Sequence, residues 1–241
     1  GVQTCALPIY DGLTVPIRRG RAAPEVDGSD REWLKAPWVT IESKTEAAMQ
    51  VTADTLFVAL RSSDPGHERL LRNVADSRTL LFKGGGAIDV QLGTDPSARP
   101  DRQKAGAGDM RLLVAQHQGK TTAMLYRPVS PGAGQRETFT SPVQTVSLDE
   151  VRDISATLAL KESHTAAHSF YEFAIPLKEL QFTPDPLKPI TGDIGIITGN
   201  GTETTGRTYW HNKRMTIVTD IPTEASLYPQ HWGKITFTKA E

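Results

Sequence analysis

Apolar residues recur at every second position in short runs along most of this chain, and glycine, proline or an Asx residue closes nearly every run. That period belongs to β-strands and leaves little room for helix. Leu56, Val58 and Leu60 alternate with Phe57, Ala59 and Arg61, and residues 49–53 and 55–61 read as a hairpin joined at Ala53-Asp54. After Gly84-Gly85-Gly86, the residues Ile88, Val90 and Leu92 alternate with Ala87, Asp89 and Gln91, which turns one polar face outward or toward a ligand. Residues 110–116 and 121–126 flank His117-Gln118-Gly119-Lys120, a second hairpin with glycine where positive φ is easy. Runs at 154–161, 168–175 and 231–238 add further strands, and residues 127–136 form a loop between strands. Helix signals are few. Ser29 with Glu32 has the spacing of a capping box, predicting a short helix that carries Trp33 and Leu34 and stops at Pro37, with Trp33 plugging one end of a core. Pro176 opens a single helical turn to Leu180. The expected fold is an all-β antiparallel sandwich with a jelly-roll or immunoglobulin-like path and one or two short helices.

At 241 residues this is one sandwich domain, and Lys plus Arg (27) nearly balance Asp plus Glu (28), so no basic field attracts nucleic acid. No apolar run approaches the roughly 20 residues that span a bilayer. Residues 1–9 look like a translated sequencing adapter, which makes 10–23 an N-terminal extension and 24–239 the domain, in an incomplete reading frame from a bacterial environmental (metagenome) assembly. On that reading Cys5, the single cysteine, is foreign, and a missing signal peptide carries no information. The alternative is an ordinary N-terminus with a buried cysteine. Without Cys5 there is neither a disulfide framework nor a thiolate metal site.

Catalytic patterns are absent. His67-Glu68 begins like a zinc-protease motif, but Leu71 stands where the second histidine belongs. The glycine clusters lack the rest of a nucleotide-binding fingerprint, and no serine elbow occurs. His164 and His168 are four apart at the entry to a strand, where that spacing does not create a shared face. Asp89, Glu172 and Asp193 lie on expected strands, yet a glycosidase needs two carboxylates facing one cleft. No catalytic residue is assigned. Asp27 with Asp30, and Asp149 with Glu150 and Asp153, are acidic clusters without a calcium-loop pattern, and read as caps and solvated turns. Asn200-Gly201-Thr202 is formally a glycosylation acceptor.

The aromatics carry more. Trp33, Trp38 and Trp232 sit among apolar residues and read as core. Trp210 follows a glycine-rich polar loop and is flanked by Arg207, Tyr209, His211, Asn212 and Lys213. An aromatic face beside planar hydrogen-bonding groups suits a sugar ring, which has apolar C–H faces and a hydroxyl rim. A tryptophan packed at a strand edge is the other reading of the same residues.

Four pieces in order and spacing resemble the family 9 carbohydrate-binding modules and their sugar-binding relatives: Val26-Asp27-Gly28 through Trp33 and Ala36-Pro37; residues 86–92; residues 206–212; and residues 220–225 leading to 229–235. The resemblance covers residues 24–239. It implies a non-catalytic β-sandwich that holds mono-, oligo- or polysaccharide in a slot between two aromatics, with a structural calcium in some members. It further implies an extracellular or periplasmic module with attached hydrolase domains. Trp210 falls at one stacking position, Arg207 and Asn200 in the loop before it, and Asp89 in the acidic slot. Phe82 stands where the second stacking aromatic is commonly tryptophan, and Tyr209, Asn212 and Arg111 are further contacts. Related sandwiches hold heme, for which Met110, Met124 and Met215 are the candidate axial ligands. A structural or interaction domain without a sugar slot is the third alternative.

Overall fold

A computed structural model describes residues 12–18, 23–214 and 220–239. Cys5 and Met215 lie outside the described residues. The strands are β1 (Gly12–Ile17), β2 (Val39–Glu42), β3 (Thr45–Val51), β4 (Thr55–Ser62), β5 (Arg72–Asn73), β6 (Ala87–Gly93), β7 (Asp109–His117), β8 (Lys120–Arg127), β9 (Glu137–Thr140), β10 (Thr145–Leu148), β11 (Glu150–Asp153), β12 (Ala159–His164), β13 (Ser169–Pro176), β14 (Ile190–Gly199), β15 (Thr204–Tyr209) and β16 (Gly233–Lys239). Two short helices, α1 (Leu177–Leu180) and α2 (Ile221–Ala225), complete the set.

Most strands join one curled sheet in the order β11-β8-β7-β6-β14-β16-β1-β3-β4-β13-β12. Its two ends face each other as the layers of a sandwich. Pairing is antiparallel except that β1 runs parallel to both β16 and β3, and β5 parallel to β7. Thus the segment expected to be an N-terminal extension supplies the strand that joins the two layers.

Strand alternation sorts the side chains. Met49 and Val51, Val58 and Leu60, Ile88 and Val90, Leu112 and Val114, and Tyr171 and Phe173 point into the space between the layers and form the main core. The outer face of each layer is covered as well. On the β3-β4-β13 side, Ala48, Phe57, Ala59 and Phe170 pack under Trp33 and Ala36. On the β6-β7-β8-β14 side, Leu113, Met124, Tyr126 and Ile197 pack under Leu81 and Phe82 of a 3-10 turn, Phe139 of the β9-β10 hairpin, and Ala225 of α2.

The capping box does not form. Ser29 Oγ instead accepts from Arg31, no side chain caps the turn, and only the short 3-10 segment Arg31–Trp33 results. At the β7-β8 hairpin, Gln118 (φ 51°) and Gly119 (φ 74°) both take the left-handed conformation, the turn whose twist suits paired strands. The Pro176 turn appears as α1, with Pro176 at its N-cap.

Candidate functional site

Register sets the first group of expected site residues. Asp89 on β6 pairs with Gly195 on β14, and Gly195 pairs with Tyr209 on β15, so the three form one row. A Cβ at Gly195 would collide with the Tyr209 ring. Its absence lets Tyr209 lie across β14 and donate to Asp89 Oδ2 at 2.6 Å. Arg111 on β7 donates from Nε and Nη2 to the Asp89 carboxylate (3.0 and 2.6 Å), and its Nη1 donates to the Glu224 carbonyl at 2.6 Å. Arg207 reaches the Phe82 carbonyl at 3.2 Å and the Glu224 carboxylate. Lys83 Nζ meets the other Glu224 oxygen at 2.7 Å.

This layer is closed. Phe82, Asp89, Arg111, Arg207, Tyr209 and Glu224 are all buried. Burial alone would depress the Arg111 guanidinium, but the Asp89 carboxylate more than offsets it and holds Arg111 above its ordinary range. Burial, reinforced by Asp89, pushes the Tyr209 phenol up, so it remains a donor. Phe82 stands edge-on to Phe139 and Tyr126 at 5.4 and 5.9 Å. The polar face of β6, expected outward or toward a ligand, is therefore covered by α2 and the β9-β10 hairpin. A sugar finds no surface there while α2 is in place.

Trp210 lies elsewhere. Being one residue on from Tyr209, it points to the opposite side, against the main core, and its ring presses on Gly233, where a Cβ would sit 2.5 Å from Cη2. It does not face Phe82. With Trp38, Pro37, Val39, Thr14 and Thr40 it lines an open pocket of about 530 Å³. Trp38 is held there by an Nε1 bond to the Trp33 carbonyl (3.0 Å) and by the Arg61 guanidinium 4.2 Å from its ring centroid. The sequence reads Trp38 as core, and it does pack against the Trp33 cluster, but, half-buried just before β2, it also lines this pocket.

Asp193 fixes the Trp210 segment. Its carboxylate takes the backbone N–H groups of Ile194 (2.9 Å), His211 (3.0 Å) and Asn212 (2.7 Å), and burial outweighs these bonds, so its pKa is pushed up to about 7. Asn212 is buried and caps Arg214 N. Asn200 is exposed at the β14-β15 turn, where its side chain accepts from Thr202 and Glu203. Neither approaches the buried layer through these bonds.

The three strand carboxylates do not face one cleft. Asp89 is bound to Arg111 and Tyr209, Glu172 to Trp33, Asp27 N and Gly28 N, and Asp193 to backbone. The acidic clusters are engaged by arginines: Asp27 by Arg31, Asp149 by Arg136, Glu150 by Arg127 and Arg152, Asp153 by Arg78. They do not fit a calcium loop as arranged. No group of three or more metal-ligating side chains occurs among the described residues. Met110 and Met124 are buried in separate apolar clusters and present no sulfur to a heme face. His164 and His67 both bond Ser169 Oγ, at 2.6 and 2.7 Å, a contact that their sequence spacing did not foretell.

Three other pockets are larger. One of about 890 Å³ lies between Ile17, Thr52, Phe57 and Pro184, one of about 640 Å³ is lined by Thr45, Asp64, His67, Arg69, Thr198 and Thr208, and one of about 570 Å³ lies beside Pro176, Lys178 and Gln181. Among the described residues, these three pockets are lined by no tryptophan, whereas the Trp210 pocket has two indoles.

The same fold occurs in a family 9 carbohydrate-binding module from Caldicellulosiruptor kristjanssonii in complex with glucose, at TM-score 0.58 and 11% identity over 95% of this chain and 97% of that one. It occurs again in a family 9 module from that organism in complex with cellotriose, at TM-score 0.54 and 11% identity over 95% of each chain. A candidate carbohydrate-binding protein from Bacteroides uniformis matches at TM-score 0.53 and 11% identity, over 94% of this chain and 99% of that one. No protein-family model and no curated protein matches the sequence. The chain thus has the fold of a family 9 carbohydrate-binding module, a likeness of architecture at this identity. No helix among the described residues is long and apolar enough to cross a membrane.

Proposed function

We propose that this chain is a non-catalytic carbohydrate-binding module in which a sugar ring stacks on Trp210. The observation that carries the reading is the shared fold with modules bound to glucose and cellotriose over 95% of the chain. Trp210 is half-buried and lines an open pocket with Trp38, so the sugar has an apolar indole surface, while Thr14 and Thr40 border the same space and suit its hydroxyl rim. The separate, fully engaged positions of Asp89, Glu172 and Asp193 support binding over hydrolysis. The ligand class is a terminal or short saccharide, free or at a polysaccharide end. The module's role is to hold covalently attached hydrolase domains on polysaccharide in an extracellular or periplasmic setting.

The test is titration calorimetry and a glycan array with the native protein and Trp210→Ala. The native protein binds a neutral mono- or oligosaccharide, and the variant loses that binding while keeping its unfolding midpoint. Binding by neither protein, or equal binding by both, defeats the assignment.

A further inference from the structure

The buried layer beneath α2 has a charge composition that the fold alone does not require. Among the described residues, Lys83, Arg111 and Arg207 gather around only two carboxylates, Asp89 and Glu224. Asp89 belongs to the sheet and is saturated by Arg111, Tyr209 and Gln91. Glu224 does not belong to the sheet. It arrives from α2, a helix of five residues, and its two oxygens enter between Lys83 and Arg207 while its carbonyl takes Arg111 Nη1.

Arg207 is 2% exposed, and its Nε is a buried donor without a hydrogen-bond partner among the described residues. A guanidinium offers its Nε and one Nη as a fork that fits both oxygens of a carboxylate. Glu224 engages Nη2 and leaves the fork half used. Such an orphaned donor is costly in a native interior and calls for an explanation.

The attachment of α2 is polar as well as apolar. Asp220 accepts from Ser141 Oγ at 2.6 Å, Thr223 accepts from Gln144, and Glu224 makes the ionic contacts, while Ile221 and Ala225 pack against the cluster of Leu81, Phe82 and Phe139. A segment that places a carboxylate in a basic site is open, at that contact, to competition from another carboxylate.

We infer that Lys83 and Arg207, with Arg111 beside them, form a carboxylate-binding site for an acidic saccharide, a uronic acid or uronate-ended oligomer, and that Glu224 is its intramolecular occupant. Binding of the uronate displaces α2 and engages Arg207 Nε together with Nη2. The site is separate from the Trp210 pocket, so its success or failure does not depend on neutral-sugar binding there.

The test uses digalacturonate and glucose as probes, with the native protein, Glu224→Gln, Ser141→Ala and Trp210→Ala, read by calorimetry. Glu224→Gln removes the competing charge, and Ser141→Ala loosens α2 without touching a basic group. Raising the fraction of open site raises apparent affinity in proportion, so each variant binds digalacturonate about tenfold or more tightly than the native protein. Affinity falls with added salt, glucose shows no gain, and Trp210→Ala leaves the uronate response unchanged. If Glu224→Gln does not fold, Ser141→Ala decides alone. The inference is overturned if the folded variants bind digalacturonate no better than the native protein, or if glucose gains equally.

Discussion

The indole Nε1 of Trp33 donates to Glu172 Oε2 at 3.0 Å, and the other carboxylate oxygen takes the backbone N–H groups of Asp27 (2.8 Å) and Gly28 (2.6 Å). One buried acid on β13 thereby ties down the whole Val26 to Trp33 segment that covers the outer face of the second layer. Gly28 sits at φ 89°, a conformation that side chains resist, so Asp27-Gly28 and Trp33 are one device rather than separate signals.

Replacing Glu172 with alanine strands the buried indole N–H of Trp33 and removes the acceptor of the more exposed Asp27 and Gly28 N–H groups. At about 1–3 kcal/mol for a buried unsatisfied group, the expected loss is about 1–3 kcal/mol, and Glu172→Gln, which keeps one acceptor, loses less. Urea denaturation measures both. Equal midpoints for native protein and Glu172→Ala rule out this anchoring role.

A chain that begins at Pro24 lacks β1. Because β1 lies between β16 and β3, its removal leaves one edge of β16 and of β3 without its partner, breaks the link between the two layers and takes Leu13 and Val15 out of the core. Buried leucine and valine are each worth about 1.5–3 kcal/mol, so the shortened protein is expected to be expanded or aggregated. Size-exclusion chromatography and circular dichroism, compared with the full chain, decide it.

The legible parts of this fold were those governed by local period. Alternation at residues 56–61, 87–92 and 110–126 yielded β4, β6, β7 and β8 nearly to their ends, since a strand half-facing a core must alternate. β1, with its Pro16, gave no such signal, because pairing partners distant in sequence define it, nor did the polar β9 and β10, and the strand expected at 154–161 opens as a 3-10 turn, Ser155–Thr157, so that β12 begins only at Ala159. The site was legible as a set of residues but not as places. Phe82, Asp89, Arg111, Arg207 and Tyr209 do gather, yet sequence could not reveal that α2 closes over them, nor that Tyr209 and Trp210 part to opposite faces.

Two glycines separate the two places experimentally. A methyl at Gly233 meets Trp210 Cη2 and Cζ3 at 2.5 and 2.7 Å and moves the ring, so Gly233→Ala is expected to weaken neutral-sugar binding. A methyl at Gly195 meets the Tyr209 ring and breaks its bond to Asp89, an overpacking cost of about 1–3 kcal/mol, without direct contact at the Trp210 pocket. Calorimetry and denaturation on both variants should show opposite patterns; identical losses of binding argue against two places.

Asp193 makes the Trp210 segment sensitive to pH. Its folded pKa is pushed up to about 7 from an ordinary 3.8, chiefly by burial. The folded protein therefore keeps this proton across a window, from about pH 4 to 7, in which the unfolded chain has released it. In that window the native state binds more protons, so this group's contribution is complete below about pH 4 and is lost as pH rises through 7. The slope is about 1.4 kcal/mol per pH unit at its steepest. Asp193→Asn cannot titrate and should lack this term, whatever its absolute stability. Other carboxylates here, such as Asp220 and Glu150, are held below their ordinary range and tilt stability the other way, so the total curve is not diagnostic. The difference between native and Asp193→Asn urea stabilities, measured from pH 4 to 8, isolates the residue. It should shift against the native protein as pH rises and level off above 7; a flat difference means Asp193 remains ionised in the fold, stabilised by the backbone N–H groups of Ile194, His211 and Asn212 more strongly than burial opposes it.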